Sequence, residues 1–128
     1  MSESLRFLPL LGRILIATLF VPAGFGKLTG FKGAVEYAAS AHMPVPSLAI
    51  AAAIAIELGG GLLLLIGWKA RWAAAAMALF SVVAALFFHN NFADTNMQIH
   101  FFKNLAIAGG LLSFVYHGAG PLSVDNRR

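Results

Sequence analysis

A chain of 128 residues that is 59% hydrophobic and 11% charged is far more apolar than a soluble domain of this size. Its formal charge of +4 comes from basic residues scattered at the ends of apolar runs, which excludes the basic patch of a nucleic-acid-binding protein. The chain has no cysteine, which excludes disulfides, thiol redox relays and cysteine-ligated metal clusters within it.

Four apolar runs, taken in chain order, have the length of membrane-spanning helices. The first contains Pro22, which predicts a kink, and we expect this run to stay as a span and not to be cleaved as a signal peptide. The less apolar stretch 31–41 is predicted to form a short interfacial helix. A hydrocarbon core needs about 20 residues per helix, so four spans fill nearly all of a single domain, 1–128. The predicted spans are 9–28, 47–67, 73–88 and 101–117.

The basic residues predict how this all-α bundle is oriented. With four spans both termini lie on one side, and the positive-inside rule places the side richer in Lys and Arg in the cytoplasm. We therefore predict a polytopic membrane four-helix bundle with both termini cytoplasmic. The terminal side carries Arg6, Arg13, Lys69, Arg71, Arg127 and Arg128, and the opposite side carries Lys27, Lys32 and Lys103.

Glu57 is an isolated acidic residue, with no other ionisable residue between His42 and Lys69. It lies ten residues from either end of the second predicted span, which at 1.5 Å per residue is about 15 Å deep. A carboxyl group at that depth is costly, so we expect it to face the bundle interior and to have a partner. Two interpretations stay open: a polar clamp that fixes helix packing, or an acid that handles protons or binds a ligand.

Two cations are predicted as partners of Glu57. Arg13 lies on the same face of the first span as Lys27, and it either reaches Glu57 or extends outward to the cytoplasmic surface. Lys103 enters the membrane from the other side, in the first turn of the fourth span. No residue is assigned a catalytic role. The predicted interior polar network comprises Arg13, Lys27, Glu57, Lys103 and Asn104.

Polar and basic residues also gather on the predicted outer side, near the ends of the spans. No pair of His or acidic residues there has the spacing of a metal-binding motif, so we expect no metal site. The cations and amides suit an anion or a quinone headgroup better. These residues are Lys27, His42, His89, Asn90, Asn91, Asp94, Gln98, His100, Lys103 and Asn104.

Five short motifs follow one another along the chain. They are Arg13 with Phe20 and Gly24, Gly26-Lys27-Leu28, Glu57-Leu58-Gly59-Gly60-Gly61 and its continuation to Gly67, Phe102-Lys103-Asn104-Leu105-Ala106, and Gly109-Gly110-Leu111-Leu112. In this order they resemble the bacterial DoxX family of four-span inner-membrane proteins, and the resemblance covers nearly the whole chain. It implies a multi-pass protein of the bacterial inner membrane and a quinone-linked redox or stress-response system, with Arg13, Glu57 and Lys103 as the positions to carry over.

The leading functional hypothesis is a membrane subunit that binds a quinone-like amphipathic ligand in its bundle and carries no cofactor built into the chain. Glu57 and Lys103 would polarise or protonate the oxygens of the ligand, and Arg13 would stabilise Glu57. Two alternatives stay open: a small permease or lipid-handling protein, and a non-catalytic assembly subunit of a membrane complex. Whether the chain is an enzyme is left open. The candidate partners are membrane lipid, a quinone, a redox subunit and a second copy of the chain, but no nucleic acid.

Overall fold

The computed structural model describes residues 3–88 and 95–126, and its regular structure is helical throughout. After a 3₁₀ turn at Glu3–Arg6, the helices are α1 (Phe7–Thr29), α2 (Phe31–Ser40), α3 (Pro46–Ile66), α4 (Ala70–Phe88) and α5 (Thr95–His117). Helices α1, α3, α4 and α5 are long and apolar enough to cross a membrane, which confirms the predicted all-α membrane fold. Helix α2 occupies the stretch predicted to form a short helix.

All four spans begin earlier than the apolar pattern predicts, three of them by two residues or more. Helix α1 starts two residues before its predicted start, α4 three residues before and α5 six residues before. Hydropathy marks the residues that prefer lipid, whereas helical hydrogen bonds continue into the polar residues that flank them. Helix α3 is instead shifted by one residue, because Pro46 takes the first helical position, where proline is well tolerated.

Helices α1 and α3 run antiparallel and approach each other closely at two glycines. A Cβ atom on Gly24 would lie 2.6 Å from the backbone nitrogen of Leu58, and a Cβ atom on Gly61 would lie 2.9 Å from Cγ2 of Val21. Small residues at such crossings allow two helix backbones to come together. The glycines therefore fix how α3 lies against α1.

The interior of the bundle is filled by a few large side chains and many alanines. Leu64, Met77 and Leu111 are fully buried, and α4 contributes several buried alanines beside them. The outer surface is strongly apolar: the exposed fractions of Leu15 and Leu79 are 60% and 68%. Such a surface suits contact with lipid chains and not with water.

The C-terminal tail folds back over the end of α3, where it meets the buried Arg13. Arg13 donates from Nη1 to the carbonyl oxygens of Leu64 (3.2 Å) and Leu65 (2.9 Å), and from Nη2 to that of Leu122 (2.8 Å). Carbonyls in the last turn of a helix lack intrahelical partners, and the negative end of the helix dipole attracts a cation. We call this arrangement the C-terminal clasp; it consists of Arg13, residues 64–70 and residues 122–125.

Backbone hydrogen bonds and one carboxylate complete the clasp. The N–H groups of residues 124 and 125 donate to the carbonyl oxygens of residues 66 and 67, at 3.1 and 2.7 Å. The Asp125 carboxylate accepts hydrogen bonds from the backbone N–H groups of Lys69 (2.7 Å) and Ala70 (2.8 Å), as an N-cap does at the start of a helix. The tail thus supplies hydrogen-bond partners both to carbonyl oxygens at the end of α3 and to N–H groups at the start of α4.

Both ends of the described chain lie at the clasp end of the bundle. A Cβ atom on Gly120 would lie 2.6 Å from Cβ of Pro9, near the start of α1. Two chain ends at the same end of the bundle agree with four spans, because an even number of crossings returns the chain to its starting side. The prediction that the clasp end faces the cytoplasm rests on the positive-inside rule.

Candidate functional site

An ion pair joins α1 to α3 deep in the bundle. Nζ of Lys27, in the last turn of α1, lies 2.8 Å from Oε1 of Glu57, and the two side chains are 31% and 7% exposed. A carboxylate at membrane depth needs a partner of opposite charge, and Lys27 supplies it. Among the described residues, Oε1 has no hydrogen-bond partner of standard geometry. Oε1 is buried against the ammonium, so the ion pair neutralises the carboxylate inside the bundle.

Glu57 sits in a π-helical turn, Ala55–Gly60, in the middle of α3. A π turn fits more residues into one turn than an α-helix, and such insertions occur frequently at functional sites. Here both Glu57 and Gly60 of the turn are buried. A Cβ atom on Gly60 would lie only 3.0 Å from Cγ of Met77, so the turn is also closely packed against α4. The irregular turn aims the carboxylate at the interior and keeps the neighbouring helices close.

A cavity of about 280 Å³ lies beside the ion pair and is lined by all five helices. Tyr37 of α2 lines it and is 55% exposed, so it lies where the cavity meets the surface. Most of the wall is apolar, as in sites that bind hydrophobic ligands. The apolar lining consists of Leu19, Phe20, Ala23, Ala34, Met43, Ala49, Ile50, Ala53, Phe80, Ala84 and Ile107.

A small set of polar side chains lines the same cavity. Ser81 of α4 is buried, and its hydroxyl donates to the carbonyl oxygen of Met77 at 2.9 Å. That leaves the lone pairs of the hydroxyl oxygen as acceptors. Asn104 of α5 is half-buried, and its amide offers both donors and an acceptor. The mostly apolar cavity is therefore lined by one ion pair, Lys27–Glu57, by one amide and by one hydroxyl.

The structure gives Glu57 a different partner from the two that were predicted. Arg13 binds the last carbonyls of α3, seven and eight residues beyond Glu57, and seven residues of helix rise about 10 Å. Lys103 is exposed and does not line the cavity, whereas its neighbour Asn104 does. Of the five predicted network residues, the structure brings together Lys27, Glu57 and Asn104. Arg13 and Lys103 lie outside the site.

Only some of the polar and basic residues predicted on the outer side line this cavity. His42, Gln98 and His100 do not line it. Four further members of that layer, His89, Asn90, Asn91 and Asp94, lie outside the described residues.

Sequence reasoning missed the π turn and the contribution of α2. The run Gly59-Gly60-Gly61 was a weak signal for an irregular turn, because glycine has a low helix propensity. The contribution of α2 had no such signal, because Tyr37 reaches the cavity only through the way α2 packs beside α3.

The chain is similar to a known protein family and to inner membrane proteins of Escherichia coli. The sequence profile of the family described as DoxX matches residues 8–90, which include both Lys27 and Glu57. Inner membrane protein YqjF of Escherichia coli (strain K12) is 40% identical over 116 residues, covering 91% of this chain and 88% of that protein. Inner membrane protein YphA of the same strain is 34% identical over 123 residues, covering 92% and 88%.

A more distant relative is the ER-derived vesicles protein ERV29 of Saccharomyces cerevisiae (strain ATCC 204508 / S288c). It is 30% identical over 80 residues, covering 59% of this chain but 26% of the yeast protein. No solved structure matches the chain.

Proposed function

The chain belongs to the DoxX family and is a multi-pass inner-membrane protein, and from that premise we propose that its bundle binds the headgroup of a quinone-like amphipathic molecule. One observation carries the proposal: a single, mostly apolar cavity is lined by both members of the Lys27–Glu57 ion pair and by the Asn104 amide. In this role the chain is a membrane component of a quinone-linked redox or stress-response system.

The chemistry of the cavity matches a flat apolar ring with polar oxygens at its edge. The Lys27 ammonium and the Asn104 amide can donate to a carbonyl oxygen, and the Glu57 carboxylate can accept from a hydroxyl on the reduced form. Ligand pockets commonly occupy about 300–1,000 Å³, and this cavity of about 280 Å³ lies just below that range. It suits a ring headgroup, with an attached hydrocarbon tail extending between helices into lipid.

The ion pair also suits proton transfer to or from such a ligand. A carboxylate and an ammonium can each exchange a proton with a bound oxygen, which a guanidinium in the same place could not do. The chain would hold and orient the headgroup and carry protons. Electrons would come from a partner subunit.

Quinone binding by the purified protein in lipid nanodiscs tests the proposal. The probe is a radiolabelled decyl-benzoquinone, with partition into empty nanodiscs subtracted. Lys27→Met and Glu57→Gln should each raise Kd about tenfold or more, because a hydrogen bond to a charged group contributes about 1.5–3 kcal/mol. Lys103→Met is the matched control: it makes the same chemical change at an exposed lysine outside the cavity, and it should leave Kd within about twofold.

Lys27→Arg keeps a positive charge beside Glu57. It therefore distinguishes weaker binding caused by loss of the ligand contact from weaker binding caused by loss of the fold. Helicity by circular dichroism and elution as a single species confirm that each variant is folded. Equal weakening by Lys27→Met and Lys103→Met would contradict the proposed site. A solute flux in proteoliposomes that requires Glu57, without saturable quinone binding, would favour a permease instead.

A further inference from the structure

A second cleft, of about 460 Å³, lies at the clasp end of the bundle. It shares no lining residue with the Lys27–Glu57 cavity. Its wall is mostly polar and basic, and it includes Lys69, Arg71, Trp72, His117 and Asp125. The function proposed above does not use this cleft.

The charges in the cleft leave an excess of positive charge. Asp125 is the one carboxylate among the residues that line it, and both of its oxygens already accept backbone hydrogen bonds at the start of α4. Asp125 also interacts electrostatically with the buried Arg13. Within the part of the chain that the structure describes, neither Lys69 nor Arg71 forms an ion pair. Their charges are available to an anion from outside the chain.

The tail lies against one of these cations and leaves room for it. Gly118, with φ of +79°, lies directly beneath the guanidinium of Arg71, so a Cβ atom there would be 3.2 Å from Nε. Glycine is the residue that takes this backbone conformation without strain and leaves room for the guanidinium. The Arg71 guanidinium beside Gly118 offers a planar fork of donors that matches phosphate oxygens.

The surroundings of the cleft place it at the level of lipid headgroups. Trp68 and Trp72 flank it with exposed fractions of 46% and 79%, and Nζ of Lys69 lies 5.2 Å from the centre of the Trp68 ring. Exposed tryptophans next to Lys and Arg at the ends of membrane spans are typical of the interface. Basic pockets at such positions bind the headgroups of anionic lipids.

We propose that this cleft binds a phosphate group through Lys69 and Arg71, carried either by an anionic phospholipid such as phosphatidylglycerol or by free phosphate. The lipid source agrees better with the interfacial tryptophans. The cleft would then hold one lipid against the clasp.

The two tryptophans of the chain, Trp68 and Trp72, both lie beside this cleft, so their fluorescence reports on it. Detergent-solubilised protein is titrated with phosphatidylglycerol, with phosphatidylcholine and with inorganic phosphate, and bound lipid is counted by native mass spectrometry. The wild-type chain should bind phosphatidylglycerol and not phosphatidylcholine. The double variant K69Q/R71Q should bind it about tenfold or more weakly. The control K32Q/K103Q removes the same charge elsewhere and should change the affinity less than about twofold.

The single variant K69Q is expected to keep the fold, because Asp125 binds the backbone N–H of Lys69 and not its side chain. This variant should bind phosphatidylglycerol about threefold or more weakly. Displacement of the lipid by millimolar inorganic phosphate supports the phosphate site with free phosphate as a ligand. Equal weakening in both double variants, or equal binding of both lipids, would overturn the proposal.

Discussion

Replacing Arg13 with leucine is expected to lower the free energy of unfolding by about 3 kcal/mol or more, because a hydrogen bond to a charged group contributes about 1.5–3 kcal/mol and the guanidinium donates three. Arg13 is fully buried, and its guanidinium holds the last turn of α3 and the tail at Leu122 together. Leucine would remove all three hydrogen bonds, although the Leu64 oxygen would still accept from the Gly67 N–H, and it would leave Asp125 without its neighbouring cation. Reversible unfolding in mixed micelles of detergent and sodium dodecyl sulfate measures the loss.

Two further variants define what Arg13 contributes. Arg13→Lys should recover little of the stability, because a single ammonium cannot reach α3 and the tail as a planar fork does. Arg6→Leu removes an exposed guanidinium from the same end of the chain and should cost less than about 1 kcal/mol. Similar losses for Arg6→Leu and Arg13→Leu would contradict the clasp.

The clasp also predicts how Arg13 and Glu57 combine. Their interactions share no partner and are separated by about 10 Å of helix, so the losses from Arg13→Leu and Glu57→Gln should add. If Arg13 instead neutralised Glu57, the double variant would recover part of the loss.

Replacing Gly24 with alanine is expected to destabilise the bundle by about 2–3 kcal/mol, at the upper end of the usual cost of overpacking. The added Cβ would lie 2.6 Å from the Leu58 nitrogen, and a backbone atom in a π turn cannot move aside as a flexible side chain can. Helices α1 and α3 would have to separate one turn before Lys27 on α1 and directly beside Glu57 on α3. We therefore expect quinone affinity to fall with stability, measured by the same unfolding and binding assays.

Gly26→Ala is the matched control for this prediction. It makes the same substitution two residues further along α1, where a Cβ atom would meet nothing within 4 Å. Alanine favours helix over glycine by about 1 kcal/mol, so this variant should be unchanged or slightly more stable. A loss of similar size from both substitutions would show that the close approach at Gly24 is not what matters.

The fold could be predicted from the sequence because membrane spans leave a strong local signal. Runs of about 20 apolar residues are needed to cross the hydrocarbon core, and four such runs nearly exhaust the chain. Arg13 shares the buried face of α1 with Phe20 and Gly24, whereas the sequence left open whether Arg13 pointed inward or extended to the surface. What the local pattern could not give were the ends of the helices, which depend on contacts such as the Asp125 cap.

The partner of Glu57 was harder to predict because it depends on the register between α1 and α3. The contact of Gly24 with Leu58 sets that register. In antiparallel helices it then brings Lys27 level with Glu57 and moves Arg13 toward the end of α3. Depth in the membrane suggested Arg13 and Lys103 as partners. Charge and depth alone do not decide between three cations when the register is unknown.

Photolabelling of the cavity tests whether a quinone binds beside Lys27 and Glu57. A photoreactive azido-benzoquinone with a short alkyl tail is activated on the protein in nanodiscs, and the labelled peptides are identified by mass spectrometry. The Lys27–Glu57 site predicts labels within residues 19–27 and 49–57, blocked by excess decyl-benzoquinone and lost in Glu57→Gln. Labels spread over the lipid-facing surface, with no effect of competitor or of Glu57→Gln, would contradict it.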